Sequence, residues 1–285
     1  MTSTGRAAAV AVALGFSICR VSNAADTSFD PLLQAGFQDM YAMDFPGCER
    51  RFLEYARLEP ADPLGDAAHA ACILFKEFQR AQVLDAEFYT DDKKLFGKRT
   101  IEPDAEAHAR LTALTDRAIE RAAEVLQRNP RDEHALFARA MANGLKADAL
   151  ALLDHRYLAA SRIGKIALAD ADTLVALNPT TYDAYIWPGV SNYVAGSLPF
   201  PLRWLAKLRG FPTDTRRGIA NLELAAEKGQ LLKPYAKILL VVVHLRAADR
   251  AAAYTLLKEL SAEFPSNPVF QKHVRRLEGS LGPRP

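Results

Sequence analysis

The apolar positions of this chain recur with a helical period, and no stretch alternates in the manner of a strand. The longest run is PDAEAHARLTALTDRAIERAAEVLQRNP, 103–130, where Leu111, Leu114, Ala118, Ala122, Val125 and Leu126 mark one face and no glycine intervenes. That spacing predicts a single long helix. LGDAAHAACILFKEFQRAQVL, 64–84, predicts another, and the polar stretch EFYTDDKKLFGKRTIEP, 87–103, reads as a linker and a soft division. Four phrases share a further pattern: CERRFLEYARLEP (48–60), AIERAAEVLQRNP (118–130), ALADADTLVALNP (167–179) and AYTLLKELSAEFP (253–265). Each places a small residue (Cys48, Ala118, Ala167, Ala253) twelve positions before a proline, with Phe52, Ala122, Ala171 or Leu257 four residues on. A small side chain lets two helices approach, a larger one fills the next groove, and proline ends the helix because it lacks an N–H.

This phrase resembles the second helix and closing turn of a tetratricopeptide repeat (TPR), a helix–turn–helix unit of about 34 residues. MDFPGC (43–48) and ADRAAA (248–253) supply the aspartate and helix start of an intra-repeat turn. Gly36 stands where a first helix wants a small residue, and DAYIWPGVSNYVAG offers Ala184, Tyr185, Gly189 and Tyr193 in the same register. The prolines at 60, 130, 179 and 265 lie 70, 49 and 86 residues apart, so the repeats are degenerate and separated by other helices. The C-terminal half, through SLPFPLRWLAKLRGFPTDTRRGIANLELAAEKG, is similar to bacterial exported TPR proteins. Part of it also resembles a segment of eukaryotic inclusion-body-clearance TPR proteins. The resemblance covers roughly residues 30–280. It implies an all-α, right-handed TPR-like solenoid with extra helices, a single array over 25–285 used for protein interaction, without enzymatic chemistry or a settled ligand.

Charge and leader narrow the partners. The chain has 36 Lys and Arg against 34 Asp and Glu, and both excess cations, Arg6 and Arg20, fall in an acid-free stretch at 1–24. That stretch has a cationic start, an apolar run too short to span a bilayer, and small residues at Ser22 and Ala24. It reads as a signal peptide cleaved near Ala24, leaving a periplasmic or secreted chain that is formally neutral. Neutrality gives no support for nucleic-acid binding. After cleavage only Cys48 and Cys72 remain, both on apolar helix faces, where the expectation is two buried thiols rather than a disulfide.

No catalytic constellation stands out, and neither a metal nor a cofactor is expected. The histidines at 69, 108, 134, 155, 244 and 273 are scattered; His69 and Cys72 share a helix turn but lack further ligands, so a surface histidine beside a buried thiol is expected. Carried over from the repeat, the concave lining is Asp30, Leu33, Phe37 and Met40; His134, Phe137, Met141 and Gly144; Asp183, Ile186, Val190 and Tyr193; and Tyr235, Ile238, Val242 and Leu245. So apolar a groove either binds an apolar helix or acyl chain or is filled by the protein, with 104–128 the expected filler. Candidate partner contacts are Tyr185, Tyr193, Trp204, Phe137 and Met141. Candidate packing positions are Gly36, Cys48, Phe52, Ala118, Ala167, Gly189, Ala253 and Leu257.

One segment breaks the frame. SLPFPLRWLAKLRGFP, 197–212, sets Leu202, Trp204, Leu205, Leu208 and Phe211 among Arg203, Lys207 and Arg209, bracketed by prolines. A short helix is predicted from Pro201. The expectation is a lid whose apolar residues join the core, in a non-catalytic scaffold that captures an envelope protein or peptide. The competing functions are a hydrophobic-ligand or lipid-binding accessory of a transport system, and a peripheral membrane protein docked through 200–211.

Overall fold

A computed structural model of the chain describes residues 29–84 and 102–281. The expected leader at 1–24 and residues 87–101 of the expected linker lie outside the described residues. Among the described residues there are twelve α-helices and no strand, so the chain is all-α. The helices are α1 (Pro31–Tyr41), α2 (Phe45–Leu58), α3 (Pro63–Arg80), α4 (Ala105–Arg128), α5 (Glu133–Leu152) and α6 (Tyr157–Leu177). A 3-10 turn (Tyr182–Tyr185) then leads into α7 (Ile186–Gly196), α8 (Phe200–Leu208), α9 (Thr215–Lys228), α10 (Lys233–Arg246), α11 (Arg250–Glu263) and α12 (Pro268–Leu281).

Local chemistry fixes most boundaries. Asp30, Asp44, Asp62, Asp104, Asp132, Asp214 and Asp249 each precede a helix and accept one of its first N–H groups. Such a cap stabilises by about 1 kcal/mol. The four proline phrases are α2, α4, α6 and α11, and they end alike. Glu59, Asn129, Asn178 and Phe264 all leave the helical region, which proline disfavours for the residue before it. A turn follows in each, with the N–H of Asp62, Asp132, Thr181 or Asn267 bonded to the carbonyl three residues back. The helices α1, α3, α5 and α10 instead run into left-handed turn residues, Met43, Gln82, His155 and Ala248.

Helices lie side by side in chain order: α1 with α2, α3 with α4, α5 with α6, α7 with α9, and α10 with α11. The first members also stack, α1 on α3 and α3 on α5. All eight packing positions singled out above are buried. Gly36 backs onto the Phe52 ring, and α7 and α9 approach so closely that a Cβ on Gly218 would lie 2.8 Å from the Gly189 carbonyl oxygen. Arginine–carboxylate pairs join neighbours: buried Asp66 on α3 takes Arg117 and Arg121 of α4, and buried Asp170 on α6 takes Arg139 of α5.

The inner edge of this stack is filled, but not by residues 104–128. Helix α4 lies between α3 and α5 as an ordinary member of the series. The space is closed by the chain's own C-terminal end. Tyr41 packs edge-to-face against Phe75 and tilted against Phe264, with ring centroids 5.8 and 5.7 Å away, and donates its hydroxyl to the Leu231 carbonyl at 3.2 Å. Asn267 Nδ2 donates to the Tyr41 carbonyl (2.8 Å), Ser266 to that of Ala42 (3.1 Å), and Phe75 meets Tyr235. Of the sixteen expected lining positions only Asp30 and His134 are exposed.

The link from α9 to α10 lacks the proline turn, and α10 has no side-chain cap of its own. Asp183, from the 3-10 turn, instead holds the turn that leads into it. Its buried carboxylate accepts the N–H groups of Gln230 (3.0 Å), Leu231 (3.4 Å) and Leu232 (2.8 Å). Burial pushes this carboxyl above its usual range, and the three N–H groups oppose the shift. Cys48 and Cys72 are bonded to one another, pinning α2 to α3, so the expectation of free thiols is corrected. Their apolar surroundings are those of a small hydrophobe in either state, which is why the sequence pattern could not separate the two.

Two outcomes follow. In denaturant without reductant an alkylating reagent labels Cys19 where the leader is present but leaves Cys48 and Cys72 unmodified, and reduction lowers the unfolding free energy by about 3 kcal/mol; stoichiometric labelling at 48 and 72 in the unfolded, unreduced chain would contradict the bond. Asp183→Ala strands the N–H groups of the turn before α10 and lowers stability by about 2 kcal/mol in denaturant titration, whereas a change within error would show that water replaces the carboxylate.

Candidate functional site

Helix α8 is where the local chemistry and the packing disagree. It contains no buried residue, and it touches the rest of the molecule chiefly through α7. Phe200, Leu202, Trp204, Leu205 and Leu208 are five of the eleven large hydrophobic residues exposed among the described residues. Phe200 is 73% and Trp204 58% accessible. At 100° per residue Phe200, Trp204 and Leu208 form one stripe with Pro201 and Leu205 beside it, while Arg203 and Lys207 flank the Phe200 edge. Full burial of each large side chain would gain about 1.5–3 kcal/mol, so a lid seated on the core would not leave this face open. The lid expectation is therefore corrected.

The sequence explains why α8 stands off. The other helix pairs with short connections turn within a few residues, whereas α7 and α9 are joined by 197–214, so α8 is an insertion at the turn of its pair. Pro199 precedes the helix and Pro201 occupies its first turn. Gly210, at φ +77°, ends it: the Gly210 N–H bonds the Lys207 carbonyl and the Phe211 N–H bonds that of Ala206. Lys165 of α6 donates to the Arg209 carbonyl and lies 4.9 Å over the Phe211 ring, tethering the exit of the insertion.

The expected contact residues do not converge. Phe137 and Met141 are buried in the core, and Tyr185 and Tyr193 are half-buried against it. The Tyr185 hydroxyl donates to the Pro179 carbonyl at 3.1 Å. Only Trp204 of the five is exposed, and it lies on a different element from the rest. Phe200, unremarked in the sequence, extends the Trp204 and Leu208 stripe; its spacing of four was the available signal.

A second feature is a cleft of about 250 Å³ bounded by the start of α1, Tyr55 of α2, the start of α5 and the loop at 180–183. Phe29, Leu33 and Phe137 give it an apolar wall. At its rim Asp62 accepts from the Tyr55 hydroxyl and lies 2.7 Å from His134 Nε2. Burial raises the Asp62 carboxyl, but the bonds from His134, Tyr55 and the Leu64 N–H outweigh it and hold the group below its usual range. His134 is raised in turn, chiefly by its bond to Asp62. Glu133 takes the Asn178 amide, and Lys228 lies 5.4 Å over the Tyr182 ring. These polar groups are engaged with one another across helix ends.

His69 is buried, not at the surface as expected, between Glu49 and Arg110; burial lowers its basicity and Glu49 opposes this. Its neighbour Cys72 is in the disulfide. Among the described residues no group of three or more His, Cys, Asp or Glu side chains is placed to hold a metal ion. No described helix is long and apolar enough to cross a membrane. The chain matches no protein-family model and no curated protein.

One titrating group sits on the closed inner face. Asp148 of α5, partly buried, accepts from the Tyr235 hydroxyl of α10 at 3.3 Å, and burial pushes its carboxyl from an ordinary 3.8 up to about 7. The folded chain thus holds a proton that the unfolded chain has lost between those values, and stability falls as pH rises through that window. Asp148→Asn removes the penalty. It should raise stability at pH 8 by roughly 1–2 kcal/mol, less than full linkage because water reaches the group, and change little at pH 4. Thermal melts across this range check it, and a variant less stable than wild type at pH 8 would contradict it.

Proposed function

We propose that this chain is a non-catalytic, TPR-like helical-repeat scaffold, exported to the periplasm or secreted, that docks at a surface of the cell envelope through α8. The observation that carries the reading is a helix with no buried residue that holds five of the eleven large apolar side chains exposed among the described residues, in one continuous arc. Exposed contiguous apolar surface of this kind is characteristic of docking sites. The repeat reading is supported by four equivalent proline turns and by the stacking of consecutive helix pairs. Export is supported by the disulfide, since such bonds persist in oxidising compartments.

The self-filled inner edge argues against the alternative of a small hydrophobic ligand held in a groove, because Phe37, Met40 and Met141 are already buried, and the cleft walled by Leu33 and Phe137 is rimmed by charged groups bonded to one another. It argues equally against peptide capture on that face. Trp204 is then the anchor that remains of the expected contacts.

A photo-crosslinking amino acid placed at position 204 in intact cells tests this directly, with position 137 as the buried control. Adducts between position 204 and another envelope component, absent from position 137, are expected. Adducts confined to the chain itself at both positions would contradict docking through α8.

A further inference from the structure

We infer that the surface α8 docks on is an anionic lipid bilayer. The inference rests on the docking reading above and specifies what is docked. Its first support is charge. No acidic residue occurs between Asp183 and Asp214, in a chain that has 34 of them, while Arg203, Lys207 and Arg209 all fall in that stretch and Arg216 and Arg217 follow it. An anionic membrane surface attracts such an acid-free cationic stretch by about 1 kcal/mol for each Lys or Arg that reaches it.

Shape is the second support. The exposed apolar arc runs from Phe200 through Trp204, Leu208 and Leu205 to Leu202, more than half the circumference of the helix. A helix lying in a protein groove needs a narrower stripe, whereas one sunk into the headgroup–acyl boundary is surrounded by apolar material on all but its upper side. Tryptophan favours that depth, with its ring in the hydrocarbon margin and its N–H among headgroups. With nine residues, α8 is about 13 Å long and suited to lying in the interface, not to spanning it. Arg203 and Lys207 on one edge, and Arg209 at the end, then reach phosphate groups while their stems lie along the apolar face.

Such an anchor binds reversibly, and its cationic part is screened by salt. The two tryptophans, Trp187 and Trp204, make the test specific. The full chain is mixed with vesicles of phosphatidylglycerol carrying bromine on the acyl chains, and tryptophan quenching is followed. Quenching is expected with these vesicles and not with brominated phosphatidylcholine alone. It should be absent from Trp204→Phe, a surface change that leaves Trp187 as the reporter and excludes insertion by the leader as the cause. The combined Arg203→Gln, Lys207→Gln and Arg209→Gln variant should bind about 100-fold more weakly.

Absence of quenching on anionic vesicles, equal quenching on neutral ones, or quenching that persists in Trp204→Phe would each overturn the inference. If it is overturned while position 204 still crosslinks to an envelope protein in cells, docking through α8 stands with a protein as the partner. If neither lipid nor protein is found at position 204, both readings fall together.

Discussion

The constraint on which the architecture depends is an apolar inner edge that the chain covers with its own end. Paired helices that stack in order leave one row of side chains facing inward, here Leu33, Phe37 and Met40 on α1 and Phe137 and Met141 on α5. In an open array water would wet that row. Here Tyr41 lies between Phe75 and Phe264, its hydroxyl reaches the Leu231 carbonyl, and Asn267 closes on the Tyr41 backbone. The aromatic rings exclude water, and each polar group they enclose has a partner, which buried polar groups require. Asp183 extends the same logic by holding the turn before α10 from 47 or more residues away in sequence.

Closure redistributes the functional possibilities. The inner face is closed in this conformation, and five of the eleven large apolar side chains exposed among the described residues sit on α8, which touches the other helices chiefly through α7. Helix α8 could be deleted without uncovering any buried side chain of its own, since it has none. Helix α8 contributes no buried residue to the core yet concentrates large apolar residues and cations, and this combination is what the docking proposal accounts for. The cleft beside Tyr55 and His134 differs in this respect, because its charged groups already hold helix ends together.

The parts of this fold legible in the sequence are those decided within one or two turns of chain. Proline forces the preceding residue out of the helix, so the ends of α2, α4, α6 and α11 could be read from Pro60, Pro130, Pro179 and Pro265. The glycine-free period of 103–130 likewise marked α4. What could not be read depends on distant pairs. Tyr41 and Asn267 are 226 residues apart, and nothing local marks either as a closing contact. Cys48 and Cys72 fit apolar helix faces as thiols or as a disulfide. The α8 stripe is the sharpest case: the same spacing of Phe200, Trp204 and Leu208 suits a lid or an exposed anchor, and only the space left by the other helices decides between them.

The closure itself is the claim to test first. With Cys19 replaced by Ser and Cys48 and Cys72 held in their bond, Ala42→Cys and Ser266→Cys provide the reactive pair, at positions where the Ser266 hydroxyl donates to the Ala42 carbonyl. A short bismaleimide should join the two within single molecules, in most of the population, with unchanged helical circular dichroism and thermal stability. Separate labelling of the two cysteines without an internal link would contradict closure, leave the inner face open, and return it to consideration as the binding surface.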